Sequence, residues 1–125
     1  MRVRNNILLC SAIITALAVA SGHADESRLR IMVSPLVSTA PGVVTIRAIV
    51  KPDAANRELQ IVADSESYYR SSIVPLDGAN AAAVTETRLK NLPGGEYSVT
   101  VVLVEANGER ISDRRQITVM STPAL

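Results

Sequence analysis

One cysteine, one histidine, no tryptophan and no phenylalanine occur among the 125 residues. Each scarcity removes a class of chemistry. Cys10 lies in an apolar run near the start, so the chain beyond it has no thiol. Disulfides, cysteine nucleophiles and cysteine metal sites are excluded there together. His23 is the single histidine, and residues beyond it can build neither a Ser-His nor a Cys-His nucleophile, nor a histidine-ligated zinc. The aromatic residues are Tyr68, Tyr69 and Tyr97, too few for the stacking platforms that read single-stranded nucleic acid. Charge of one sign is missing too. Thirteen basic residues face twelve acidic ones, a balance that invites neither nucleic acid nor an anionic membrane.

What is present begins with an export pattern. Met1 to Asn6 carries Arg2 and Arg4 and no acid, and Ile7 to Ala20 is apolar apart from Ser11 and Thr15. As a helix that run spans about 21 Å, short of the roughly 30 Å hydrocarbon core, so a signal peptide is expected rather than a membrane anchor. Two small-x-small cleavage sites compete, Ala18-Val19-Ala20 and Gly22-His23-Ala24. The second is preferred because the acidic pair Asp25-Glu26 follows it. Cys10 does not suit lipid attachment, since Leu9 precedes it and the apolar run continues after it. The expected organisation is a signal peptide over 1–24 and one domain over 25–125. Signal style, small size and the absence of disulfides and of Asn-x-Ser/Thr acceptors point to a bacterial envelope.

Beyond the signal, hydrophobicity alternates with period two and no helical period stands out. Leu29, Ile31 and Val33 begin the pattern; Val44, Ile46, Ala48 and Val50 continue it; Leu59, Ile61 and Ala63 form a third inward row. Ser67 to Val74 and Val84 to Leu89 read as further strands, although Ala81-Ala82-Ala83 and Glu86/Lys90 would also suit a short helix. Tyr97, Val99, Val101 and Leu103 mark the strongest strand. Its other face, with Ser98, Thr100, Val102 and Val104, either forms an apolar patch or lies under a loop. Asn107-Gly108 then closes a hairpin onto a last strand through Ile111, Ile117 and Val119. About seven short strands in this length make an all-β, two-sheet antiparallel sandwich the expected fold, with a small closed barrel as rival.

Leu92-Pro93-Gly94-Gly95-Glu96-Tyr97, leading into the alternating Ser98-Val99-Thr100-Val101, resembles the E–F corner of fibronectin type III and related immunoglobulin-like domains. The resemblance runs over roughly thirty residues, Leu89 to Val119, and the core tryptophan typical of those domains is missing. It implies that Tyr97 packs its ring inward while its hydroxyl bonds an upstream backbone group, with Leu92 as packing partner. The resemblance implies an immunoglobulin-like module, which the export pattern makes a bacterial exported one, and that architecture hosts unrelated functions.

Few side chains stand out as a site. Asp64, Glu66 and Asp77 read as solvated turn acids, and Ser65, Ser67, Ser71 and Ser72 have no base near in sequence. Tyr68-Tyr69-Arg70 concentrates residue types common at binding hot spots, and strand alternation puts the two rings on opposite faces. The expectation is a non-catalytic interaction or accessory module, periplasmic or secreted, with no enzyme activity and no cofactor. Its expected partner is another envelope protein, with no nucleic acid and no membrane anchor after signal cleavage. Two alternatives are a small periplasmic ligand- or metal-binding protein and a subunit of a surface appendage. A metal site through His23 arises only if cleavage follows Ala20, which makes Ser21-Gly22-His23 an amino-terminal nitrogen set for Cu(II) or Ni(II).

Overall fold

A computed structural model describes residues 28–122. The expected signal peptide, both cleavage sites, Cys10 and His23 lie outside the described residues. Eight strands form: β1 (Leu29–Ser34), β2 (Val37–Thr39), β3 (Gly42–Val50), β4 (Asn56–Asp64), β5 (Tyr69–Pro75), β6 (Val84–Leu92), β7 (Gly95–Glu105) and β8 (Arg110–Met120). They make two sheets, ordered β1-β3-β6 and β2-β8-β7-β4-β5. The protein is an all-β, immunoglobulin-like sandwich.

The alternation of the sequence is the alternation of burial. Leu29, Ile31 and Val33 of β1 face in, as do Val44, Ile46, Ala48 and Val50 of β3. Against them lie Leu59, Ile61 and Ala63 of β4 and Tyr97, Val99, Val101 and Leu103 of β7, nearly all without exposed surface. Two inward rows meeting face to face remove apolar surface at roughly 25 cal/mol per Å², which drives the sheets together. The hairpin β7–β8 turns at Thr-free Ala106-Asn107-Gly108, where Gly108 has φ +88° and its N–H donates to the Glu105 carbonyl at 3.0 Å. Of the stretch that would also suit a helix, Val84–Leu92 is strand β6, paired with β3 over its length, while Ala81-Ala82-Ala83 is irregular and follows a single 3₁₀ turn at Gly78–Asn80.

Two features were not legible in the sequence. β2 is three residues long and pairs parallel with β8, Val37 to Thr118 and Thr39 to Met120, in a sandwich otherwise antiparallel. Thr118 N–H donates to Leu36 O at 2.9 Å and Ala40 N–H to Met120 O at 2.7 Å, which fixes the crossing from one sheet to the other. The second is a register shift between Gly42 and Val44 against β6, with Asn91 at φ +60°. Asparagine tolerates that left-handed conformation better than a β-branched residue.

Candidate interaction face

The corner comes first, because it places the tyrosines. Tyr97 is fully buried, and its hydroxyl donates to the Pro93 carbonyl at 2.6 Å. Leu92, at the end of β6, is equally buried in the same core. Burial pushes the Tyr97 phenol above its ordinary value; the Ser65 hydroxyl offsets part of this and Tyr68 adds to it. Tyr68 packs edge-on against Tyr97, with ring centroids 6.2 Å apart and planes at 76°, a favoured aromatic geometry. A two-residue turn orients it: Ser65 N–H donates to Tyr68 O at 2.8 Å and Tyr68 N–H to Ser65 Oγ at 3.1 Å.

The stretch singled out in the sequence is therefore divided among three environments. Tyr68 is half-buried against the core. Tyr69 is 63% exposed on the outer face of the five-stranded sheet. Arg70 points between the sheets, where its guanidinium donates to the Lys90 carbonyl and links β5 to β6. Asp64 and Glu66 sit exposed at one end of the β4–β5 hairpin and Asp77 beyond the other. Among the described residues, no group of three or more His, Cys, Asp or Glu could hold a metal ion.

Sequence reasoning missed the partner of Tyr69. Ile73 is 62% exposed on the same face, four residues further along β5, and half-buried Val62 lies between them opposite Ser71. Polar side chains bridge much of the rest of that face. Arg110 donates to Gln60 Oε1 at 2.7 Å and Gln60 to Glu58 Oε2 at 3.0 Å, a chain that spans β7 where Val102 and Val104 stand. Gln116 donates to Ser98 Oγ at 2.7 Å across the neighbouring strands. Cross-strand polar side chains, rather than a loop, thus half-cover the outer row of β7. What stays open is a strip of β5 and β4 and, at the far edge of the sheet, the exposed Val37 of β2 and Met120 of β8.

A concavity of about 460 Å³ lies at the seam of β1 and β8 and is lined by Arg30, Ile31, Met32, Val33, Leu36 and Arg115. Beside it Asp113 accepts the Ile31 N–H at 3.0 Å, the Arg114 N–H at 2.9 Å and Arg115 Nη1 at 2.8 Å. Burial works to raise the Asp113 pKa, but these donors outweigh it and hold the carboxyl below its ordinary value.

Strand order, corner and buried rows define the class as an immunoglobulin-like β-sandwich, and comparison with known proteins agrees on that fold. No family model matches the chain, and no curated protein matches it in sequence. A superoxide reductase (neelaredoxin) from Ignicoccus hospitalis is similar with TM-score 0.61 and 15% identity, over 74% of this chain and 80% of that one. The fn3 domain of human collagen alpha-1(XX) chain gives TM-score 0.54 at 15% identity, over 77% and 82%. A family 76 glycoside hydrolase from a bovine Bacteroides thetaiotaomicron strain gives 0.53 at 17% identity, over 73% of this chain and 20% of that one. At such identities the likeness is one of fold. It nonetheless corrects one expectation. The chain was expected not to be an enzyme, yet a superoxide reductase has this same fold, so a small sandwich is no argument against catalysis.

Proposed function

We propose that this chain is an exported binding module of the bacterial envelope, whose contact surface is the outer strip of β5 and β4 centred on Tyr69 and Ile73. The partner is another envelope protein. The observation that carries the reading is the exposure of Tyr69: of three tyrosines it alone is turned to solvent, beside an isoleucine equally exposed. An aromatic ring and a branched aliphatic side chain on one face of a strand, with Ser71 and Val62 between them, are residue types common at binding hot spots. The export signal read from residues 1–24 supports the compartment, and intact mass of the exported protein tests it, with a start at Asp25 expected.

A photo-crosslinking residue placed at position 69 in the native envelope tests the surface. It should capture a partner that the same residue at Glu86, on the opposite sheet, does not. Tyr69→Ala and Ile73→Ala should each then weaken that partner's affinity by about tenfold or more while melting as the parent does. Unchanged affinity in both folded variants would place the contact elsewhere.

A further inference from the structure

At the seam of β1 and β8 two concavities share a pair of arginines. The larger, about 460 Å³, and a smaller one of about 230 Å³ lined by Leu29, Arg30, Asp113 and Arg115 both include Arg30 and Arg115, so they form one groove. The Asp113 carboxylate belongs to one half of it. In the other stand Met32 and Leu36, 52% and 56% exposed, beside buried Val33. A polar half and an apolar half in a hollow of this size have the make-up of a small-molecule site.

Asp113 compensates one of the two arginines. Its oxygens accept from the Ile31 N–H, the Arg114 N–H and Arg115 Nη1. Arg115 commits Nη1 to Asp113 and to the Arg114 carbonyl, and its Nε and Nη2 bond nothing among the described residues. Arg30 is exposed and makes no ion pair or hydrogen bond among the described residues. Two guanidinium groups against one carboxylate leave one positive charge beside an apolar surface. A third donor is near. Lys51 N–H donates to Arg28 O at 3.0 Å, so the even-numbered residues of β1 bond β3, and the odd-numbered ones face the open side. Asp113 takes the Ile31 N–H there, which closes this edge to an added strand, while the Val33 N–H bonds nothing among the described residues.

We propose that this groove binds a small amphipathic carboxylate of the fatty-acid kind. Its head sits between Arg30 and Arg115, and its tail lies along β1 over Met32, Val33 and Leu36. Charge and surface select that class together. One uncompensated guanidinium matches one negative charge, and its planar fork suits a carboxylate. The apolar half rewards a hydrocarbon tail and offers nothing to a plain inorganic anion. From Arg30 to Val33 the strand runs about 10 Å, room for an acyl chain of medium length. The groove is open on one side, so affinity is modest, with Kd for octanoate on the order of 0.1–1 mM. The inference goes beyond the binding strip of β5 and does not rest on it, because it concerns another face of the sandwich.

Titration of the full chain with octanoate at neutral pH, followed through backbone amide NMR signals, tests it. The Val33 amide and its neighbours on β1 should shift and saturate. Acetate carries the head alone and octanol the tail alone, and each should bind about tenfold more weakly than octanoate. Arg30→Gln should weaken octanoate about three- to tenfold, leave octanol unchanged and melt as the parent does. Met32→Ser should weaken octanoate and octanol alike. Rising salt should weaken octanoate and spare octanol. No shift at Val33 by ~10 mM octanoate, about tenfold above the expected Kd, overturns the proposal. So does acetate or octanol binding as tightly as octanoate, or a response confined to residues outside the seam. None of these results touches the binding strip, which is read from partner affinity.

Discussion

The fold moves the protonation of Tyr97 and Asp113 in opposite directions. Tyr97→Phe keeps the ring and loses the hydroxyl's bond to Pro93 O, so equilibrium unfolding should show a loss of about 0.5–1.5 kcal/mol. Tyr97→Ala also empties the space beside Tyr68 and should cost about 3–5 kcal/mol. With its folded pKa above the unfolded one, the neutral phenol stabilises the fold fully below the ordinary tyrosine pKa of about 10. That contribution is lost as pH rises through the folded value, and Tyr97→Phe should lack the alkaline loss. Asp113 runs the other way. Its folded pKa is depressed, so its contribution is present above the ordinary carboxylate value of about 4 and fades as pH falls through the folded value. Asp113→Asn should therefore cost about 1 kcal/mol at pH 7, and the gap to the parent should close in acid.

At the scale of the element, the pairing of β3 with β6 depends on two backbone positions. Asn91 holds φ +60° beside the register shift, and Asn91→Val should destabilise by about 1–3 kcal/mol, whereas Asn91→Gly should be nearly neutral in thermal melts. Gly42 lies under Val119, where an added Cβ would stand 3.1 Å from both Val119 methyls and 3.2 Å from Ser38 Oγ. Gly42→Ala should cost about 1–3 kcal/mol by overpacking, read from the same melts. These elements also mark how far local pattern reaches. β1, β3, β4 and β7 were legible because period-two burial repeats over six to eleven residues. β2 was not: Val37-Ser38-Thr39 has burial too shallow to impose alternation, and its only cause is the β8 edge arriving beside it.

The whole molecule is tied at one end by an ion pair between a buried carboxylate and a half-exposed arginine. Glu105, at the end of β7, is 5% exposed and bonds Arg28, just before β1, so the pair joins the two sheets. Arg28→Met leaves that buried carboxylate without its partner and should cost about 1–3 kcal/mol by denaturant titration. Adding Glu105→Gln to it should recover much of the loss. Neither residue is conspicuous in sequence, since 77 positions separate them.

The division between sequence and tertiary structure follows the same line. An alternating chain with few aromatics and no helical period determined an all-β sandwich, because burying one face of each strand requires a second sheet. The corner was readable for a related reason: Leu92 through Tyr97 is local, and its hydrogen bond spans four residues. The site was not local. Alternation separated Tyr68 from Tyr69, but only packing decided which ring went inside, since Tyr97 offered its edge to Tyr68 and left Tyr69 outward. Ile73 joined Tyr69, Arg70 was drawn to Lys90, and Asp113 reached Ile31 because strands distant in the chain became neighbours. Such meetings depend on register and sheet order, which arise from the free energy of the whole core and from no single segment.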